Sequence, residues 1–172
     1  MKLPVVLNGD EVKALLKSCK LLKHRLIIGL CYGCGLRCSE VRNLRVADAG
    51  KGSKDCCLPL GKMLCRGIAQ YISAAHPGNY LFEGVDNQAM SQRGTQWVVY
   101  QAVKRAGIRK EVHTHTLRHS YATHLLEQGV NILTIQELLG HANIETTMVC
   151  LHIARPSAQT VFSPLDTLYG QL

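Results

Sequence analysis

Hydrophobic residues recur along this chain with the spacing of amphipathic helices more often than with the alternation of strands. Asn8 or Asp10 is placed to cap a first helix, which runs to about Lys20. A second helix is predicted from about Leu22 to Tyr32, and its nearly unbroken apolar run RLIIGLCY indicates that it is buried. The first 32 residues are therefore predicted to be mostly helical, with the second helix buried.

The rest of the chain alternates predicted helices with short turns. Ser39 restarts a short helix after the glycines of GCGLRCSEV. Further helices are predicted over 62–75, 91–106, 116–128, 131–140 and from 143 onwards. The segment AGKGSKDCCLPLG, with a turn and a short apolar run, is the best strand candidate. The fold class predicted is mainly α (α+β), a helical bundle over residues 1–155 with a small β element, followed by a tail over residues 156–172 with a short last helix.

Two of these helices have apolar positions that define faces predicted to be buried. In the helix over 91–106 these positions are Trp97, Val98 and Val103, with Tyr100 as a further candidate. In the helix over 116–128 they are Leu117, Tyr121, Leu125 and Leu126. Gly129 is a natural residue for ending the second of these helices, because glycine readily adopts the left-handed conformation found there.

Composition narrows the class of protein. With 172 residues, of which 47% are hydrophobic, the chain can bury a real core, which argues against disorder. Twenty Lys and Arg against twelve Asp and Glu give a formal charge of +8. Clusters of cations are most often solvated faces, but a basic small domain favours a polyanionic partner. No apolar run reaches the roughly 18 residues that span a membrane, so no membrane association is predicted.

The cysteines raise the question of a metal or disulfide framework. They are Cys19, Cys31, Cys34, Cys38, Cys56, Cys57, Cys65 and Cys150. The opening MKLPVVLNGD lacks the apolar core of a signal peptide, which predicts a reducing cytosol and free thiols. Cys31, Cys34 and Cys38 would share one helical face, but no second CxxC or His pair completes a tetrahedral site. We therefore predict no metal and no cofactor, with a metal or disulfide framework as a minor structural alternative.

Several basic residues together indicate phosphoryl chemistry. His115 and Arg118 in HTLRH are three residues apart and would share a helical face, and His141 follows the end of the next helix. Arg37 follows a double-glycine turn, and Lys51 lies in GKGSK, a basic loop suited to a phosphate. Each residue alone is more often a cap or surface group. Together they predict phosphoryl transfer without a metal, because arginine forks bind phosphate oxygens while lysine or histidine moves protons.

Four segments carry a specific resemblance to a known family. YGCGLRCSEV, GKGSKD, HTLRHSYATHLLEQG and LLGHANIETTM, in this order, resemble the catalytic domain of the tyrosine recombinases, the family of phage integrases, Xer proteins and integron integrases. The resemblance extends from LPVVLNGDEVKALL almost to the end, and its HxxR followed 23 residues later by LGH is highly specific. It implies a site-specific recombinase of a mobile genetic element that acts on double-stranded DNA in a bacterial cytoplasm.

The resemblance also implies roles for individual residues. The implied catalytic set is Arg37, Lys51, His115, Arg118 and His141, with Glu40 as a supporting acidic residue. The residues implied to bind DNA phosphates are Arg37, Lys51, Lys54 and Arg118. In the family, a tyrosine nine residues after the second histidine attacks the scissile phosphate, forms a 3′-phosphotyrosyl link and frees a 5′-hydroxyl. In this chain that position is Cys150, and none of the six tyrosines lies in the same predicted helix.

Cys150 is a poor replacement for tyrosine at this position. Its side chain is shorter by most of a ring, its thiolate is a soft nucleophile, and an error of roughly 1 Å costs about 100-fold in rate. We therefore expect a recombinase domain whose DNA cleavage and strand transfer are absent or impaired. The alternative is a catalytically dead DNA-binding or protein-interaction module derived from an integrase.

Two further departures from the family pattern, and one feature shared with it, affect the expected function. Family members usually place a helical DNA-clamping domain before this region, whereas this chain begins at the catalytic domain, which predicts weaker binding. The join between LRVADA and GKGSKD omits a hairpin, so the small sheet that carries Lys51 is expected to be reduced. In the family the tail docks on a neighbouring protomer, which here predicts a homo-oligomer held through residues 156–172.

Overall fold

A computed structural model describes residues 5–49, 60–140 and 163–169, and within them the chain is mainly α, as predicted. In chain order the helices are α1 (Gly9–Ser18), α2 (Leu22–Gly33), α3 (Cys38–Asn43), α4 (Val46–Ala49), α5 (Lys62–Ala75), α6 (Gln92–Ala106), α7 (Thr114–Glu127), α8 (Ile132–Gly140) and α9 (Pro164–Tyr169). A 3-10 turn covers Val85–Asn87. The β structure in the described ranges consists of two isolated antiparallel bridges, Arg45 with Tyr80 and Glu83 with Ala89. Most of the predicted strand segment, residues 50–59, lies outside the described residues.

Helix α1 begins where the sequence predicted, at Asn8. The Asn8 side-chain oxygen accepts a hydrogen bond from the Glu11 N–H at 2.8 Å, and the Glu11 carboxylate accepts one from the Asn8 N–H at 2.8 Å. This reciprocal pair is a capping box, which satisfies donors that a helix start otherwise leaves unpaired. The helix ends at Ser18, slightly before the predicted Lys20.

Helix α2 lies at the centre of the core. All its residues from Leu26 to Gly33 are buried, which explains the absence of a polar face in its sequence. It packs against α1, α5, α6, α7 and α9. The short tail helix α9 is held at the C-terminal end of α2. The Ser163 hydroxyl donates to the Gly33 carbonyl oxygen at 3.1 Å, and Leu165 is buried.

The orientation of α6 differs from the prediction. The helix buries Thr95, Val98, Val99 and Ala102, an i, i+3, i+4, i+7 set that packs on α1, α2 and α3. Val98 is therefore inward as predicted, and Val103 is partly buried against the core. Trp97 and Tyr100, however, are 51% and 57% exposed. At about 100° of turn per residue, both lie roughly opposite the buried set, so the expected inward placement is wrong.

In α7 the predicted core positions are confirmed except for one. Leu117, Tyr121 and Leu125 are buried, whereas Leu126 is 46% exposed near the end of the helix. Gly129 has a φ of +85°, the left-handed conformation predicted for the residue that ends this helix.

Five cysteines lie in the described ranges and carry thiols there: Cys19, Cys31, Cys34, Cys38 and Cys65. The expected single helical face is wrong, because α2 ends at Gly33, Cys34 follows it, and Cys38 opens α3. Burial raises the pKa of the Cys31 and Cys38 thiols. Within the described ranges, no three or more His, Cys, Asp or Glu side chains are grouped to hold a metal ion. No helix in those ranges is long and apolar enough to cross a membrane.

Candidate active site

The turn between α2 and α3 brings the chain against α7 and α8 at Gly35. This glycine has a φ of +65°, and a Cβ atom at its position would lie 2.6 Å from a Tyr121 ring carbon and 2.8 Å from a Leu139 methyl carbon. Both the backbone conformation and the close packing therefore require glycine. The turn places the next polar residue, Arg37, at the start of α3.

Arg37 is held by Glu40, three residues further along the chain. The Arg37 backbone N–H donates to one Glu40 carboxylate oxygen at 2.7 Å. The Arg37 guanidinium nitrogen Nη1 lies 3.4 Å from the other oxygen. Glu40 is only 5% exposed, whereas the Arg37 side chain is 33% exposed. The carboxylate thus fixes the start of α3 and the guanidinium together, leaving part of the guanidinium accessible.

Arg118 reaches the same place from α7. This helix begins after His113, whose N–H donates to the Thr116 hydroxyl at 3.1 Å. Arg118 donates from Nη1 to the Gly35 carbonyl oxygen at 2.6 Å and from Nη2 to the Leu139 carbonyl oxygen. Two backbone carbonyls from different elements therefore orient its fork.

The two guanidiniums converge. Arg37 Nη2 also donates to the Leu139 carbonyl oxygen, at 3.4 Å, so one carbonyl accepts from both arginines. Glu40 lies 3.9 Å from Arg118 Nη1 and contacts Arg37 as well. We call Arg37, Glu40 and Arg118, with the Gly35 and Leu139 carbonyls, the arginine pocket.

The arginine pocket has an excess of positive charge. Burial lowers the pKa of the Arg118 guanidinium, and the neighbouring Arg37 lowers it further, while Glu40 opposes the shift. Arginine nevertheless stays protonated in proteins. The group as defined holds two guanidiniums, one carboxylate and two neutral carbonyls, which give it a formal charge of +1. An anion with two adjacent oxygens, such as a phosphodiester, matches the fork geometry and this charge.

The predicted site residues are only partly described. The structure brings Arg37, Glu40 and Arg118 together, and His115 is exposed in the first turn of α7, three residues before Arg118. The other predicted positions, Lys51, Lys54, His141 and Cys150, lie outside the described residues. The Gly35 and Leu139 carbonyls were not predicted, because a backbone acceptor leaves no signature in residue type.

Comparisons with known proteins identify the family. Residues 5–155 match the phage integrase family. The chain is 41% identical over 167 residues to a tyrosine recombinase of Thermosipho africanus, covering 89% of this chain and 59% of that protein. It is 34% identical over 183 residues to the tyrosine recombinase XerD of Listeria innocua, covering 93% of this chain and 62% of that protein. It thus spans about three fifths of these curated relatives.

Solved structures show the same fold. The chain superposes on the XerA recombinase with a TM-score of 0.72 at 24% identity, covering 100% of this chain and 66% of that one. On the XerH site-specific recombinase bound to difH substrate in a pre-cleavage complex, the TM-score is 0.67 at 24% identity, covering 92% of this chain and 53% of that one. The fold is that of a tyrosine-recombinase catalytic domain. The chain belongs to the phage integrase family of tyrosine recombinases.

Proposed function

We propose that this chain is the catalytic domain of a site-specific DNA recombinase, that its arginine pocket binds a DNA phosphodiester, and that Cys150 impairs its chemistry. Residues 1–155 form this domain and residues 156–172 its tail, acting on double-stranded DNA in the bacterial cytoplasm. The observation that carries the proposal is the convergence of Arg37 and Arg118 on one carbonyl, with Glu40 as their shared carboxylate.

Each residue of the proposed site has a defined task. The two guanidiniums bind the non-bridging oxygens and stabilise the charge that the phosphorus centre gains during attack. His115, His141 and Lys51 supply or accept protons, so that the 5′-oxygen leaves as a hydroxyl when the bond from phosphorus to that oxygen breaks. The new bond to phosphorus must come from the side chain at position 150. A thiol on a short side chain stops before the phosphorus, and cleavage is therefore blocked at the first step.

Binding of duplex DNA to charge variants tests the phosphate pocket. Arg37→Ala removes one partly exposed guanidinium from it, and we expect an affinity loss of roughly tenfold and a reduction of the salt slope by about 0.9. The matched control is Arg45→Ala, because Arg45 is an exposed arginine stacked over the Tyr80 ring at 5.8 Å and lies outside the pocket. It should change the affinity less than threefold. Equal losses in both variants, with unchanged thermal unfolding, would mean that only overall charge matters.

The competing function is a catalytically dead module that binds DNA or another protein. The favouring observation is again Cys150, since a chain without its nucleophile keeps only the binding part of the site. The two functions differ in what tyrosine at position 150 restores. A recombinase domain regains cleavage, whereas a module that has also lost its proton donors or strand geometry stays inert.

The tail is proposed to mediate self-association. In the structure α9 packs on α2, α5 and α7, with Leu165 only 2% exposed. The same surface can receive α9 from a second copy, since exchange of an identical element is a low-cost route to oligomers. Leu165→Asp should abolish any oligomer seen by sedimentation velocity, while the exposed-surface variant Val85→Ala should not. An oligomer that is insensitive to Leu165→Asp would contradict this assignment.

A further inference from the structure

Helix α6 exposes a stripe of two aromatic and two basic side chains. We define the α6 stripe as Arg93, Trp97, Tyr100 and Lys104, which are spaced i, i+4, i+7 and i+11 and are all exposed. At about 100° per residue these four positions fall on one side of the helix, opposite the buried set. The aromatic rings thus lie in the middle of the stripe with a cation at each end.

The aromatic residues of the stripe are unusual for a solvated helix face. Trp97 is the only tryptophan in the chain, and it is 51% exposed, while Tyr100 is 57% exposed. The His24 ring packs edge-on against Trp97 with centroids 6.0 Å apart and planes at 81°. This contact holds the indole in place and leaves half of it open. Isolated exposed apolar residues are common, but two large exposed rings three residues apart on one helix face can form a contact surface.

The charge on this helix has one sign. The segment QRGTQWVVYQAVKRA contains Arg93, Lys104 and Arg105 and no Asp or Glu. Lys23 and Arg105 both lower the pKa of His24, after the larger effect of burial, so both cations lie near the imidazole that packs against Trp97. The complementary partner is therefore an anion with flat, apolar faces.

We propose that the α6 stripe binds single-stranded nucleic acid, with unpaired bases stacked on Trp97 and Tyr100 and backbone phosphates paired with Arg93 and Lys104. Exposed aromatic rings flanked by cations bind single strands without sequence preference, because every base has a π-face. The eleven helical steps from Arg93 to Lys104 span roughly 16 Å, the length of a few nucleotides.

Single strands fit this surface better than duplex DNA or an acidic protein. In a duplex the bases are stacked on each other and do not present their faces, and carboxylates of an acidic peptide bring no flat partner for the rings. The inference deepens the proposed function, since strand transfer separates a freed strand from its complement. It does not require cleavage by this chain, so the stripe and the arginine pocket can be tested apart.

Intrinsic fluorescence gives a direct test, because Trp97 is the only tryptophan. The probes are a 12-residue oligo(dT), a mixed-sequence 12-base-pair duplex and poly-glutamate, each titrated into the native chain. We expect strong, saturable quenching by oligo(dT) and at least fivefold weaker binding of the other two. Equal quenching by poly-glutamate would assign the stripe to an acidic protein partner, and quenching by the duplex alone would assign it to groove contacts. Either result overturns the proposal.

Variants separate the contributions of the rings and the cations. By anisotropy of labelled oligo(dT), Trp97→Ala should weaken binding roughly 5- to 100-fold, and Trp97→Phe should restore most of it. Lys104→Ala should reduce the salt slope by about 0.7. The control Val85→Ala removes another exposed apolar side chain, 81% exposed, and should have no effect. An unchanged oligo(dT) affinity in Trp97→Ala would overturn the proposal.

One variant distinguishes failure of this inference from failure of the proposed function. Arg37→Ala should weaken duplex binding while leaving the quenching by oligo(dT) within twofold of the native chain. Loss of oligo(dT) binding in this variant would place the single strand in the arginine pocket and contradict a separate stripe. Duplex binding that is unaffected by Arg37→Ala, together with normal quenching, would reject the pocket and keep the stripe.

Discussion

The arginine pocket and the α6 stripe are both basic surfaces, but they hold their charges differently. In the pocket, Arg118 is fixed by two carbonyls and both arginines share the buried Glu40. On the stripe, Arg93 and Lys104 are exposed on a helix without a carboxylate. A fixed guanidinium is preorganised for one phosphate in one orientation, whereas exposed cations attract many strands in many orientations. The first arrangement suits chemistry, and the second suits affinity.

The largest effect should come from breaking the turn that assembles the pocket. Gly35→Ala adds left-handed backbone strain and a methyl group against Tyr121 and Leu139, at a total cost of about 2–5 kcal/mol in the free energy of unfolding. Gly107→Ala is the matched control, because Gly107 has a φ of +69° but no atom within 4 Å of an added Cβ. It should cost only about 1 kcal/mol. Equal losses in urea denaturation would show that packing at Gly35 is unimportant.

The next effect should come from the carboxylate that holds the arginines. Glu40→Gln leaves Arg118, whose side chain is 13% exposed, without its charged neighbour, and we expect a loss of about 2–3 kcal/mol in stability. The comparison variant is Glu11→Gln. The Glu11 carboxylate oxygen Oε2 lies 2.7 Å from Lys110 Nζ, and the Lys110 side chain is 41% exposed. An exposed pair of that kind is worth less than about 1 kcal/mol. A smaller loss for Glu40→Gln than for Glu11→Gln would argue against the pocket as a rigid unit.

Charge-preserving substitution should separate the two surfaces further. Arg118→Lys keeps the positive charge but removes the fork that spans the Gly35 and Leu139 carbonyls. We expect duplex affinity to fall by about tenfold at constant salt slope, with oligo(dT) affinity unchanged. Lys104→Arg should leave both affinities within twofold, because no fixed geometry is lost on the stripe. Equal responses of the two sites in equilibrium titrations would remove the distinction between them.

The smallest effect should be the change in folding stability when the aromatic side chains of the α6 stripe are truncated to alanine. Trp97→Ala and Tyr100→Ala should each change stability by less than about 1 kcal/mol, because about half of each side chain already faces water. Val99→Ala on the buried side of the same helix should cost about 2 kcal/mol. Thermal unfolding compares the three variants directly. A large loss for Tyr100→Ala would indicate a structural role that its exposure does not suggest.

Local patterns predicted the helices better than their orientation. The helix predicted over 62–75 has the same bounds in α5, and Ser91 caps α6 by accepting from the Gly94 N–H at 2.9 Å. The side of α6 that carries Trp97 was predicted wrongly, because hydrophobicity of a ring does not reveal which face the neighbouring helices cover. The predicted end of the second helix at Tyr32 lies one residue from the end of α2 at Gly33, and this break separates Cys31 from Cys38.

For the candidate site, the sequence predicted the side chains but not the backbone carbonyls that orient them. Arg37 and Arg118 were chosen from residue type and spacing, Glu40 was implied by the family resemblance, and the fold places the three together. Their catalytic roles remain predictions. The carbonyl of Leu139 could not be chosen in advance, since it depends on how α8 ends beside α3 and α7. The role of Cys150 likewise rests on spacing from His141 alone.

The central claim is that a phosphate site is present and that its nucleophile is missing. Formation of a covalent protein–DNA adduct tests this claim most directly. The native chain, Cys150→Ala and Cys150→Tyr are incubated with a pool of nicked duplexes of randomised sequence and resolved on a denaturing gel. We expect a covalent protein–DNA adduct with Cys150→Tyr and none with the native chain. An adduct formed by the native chain and lost in Cys150→Ala would contradict the claim, because it would make Cys150 the nucleophile.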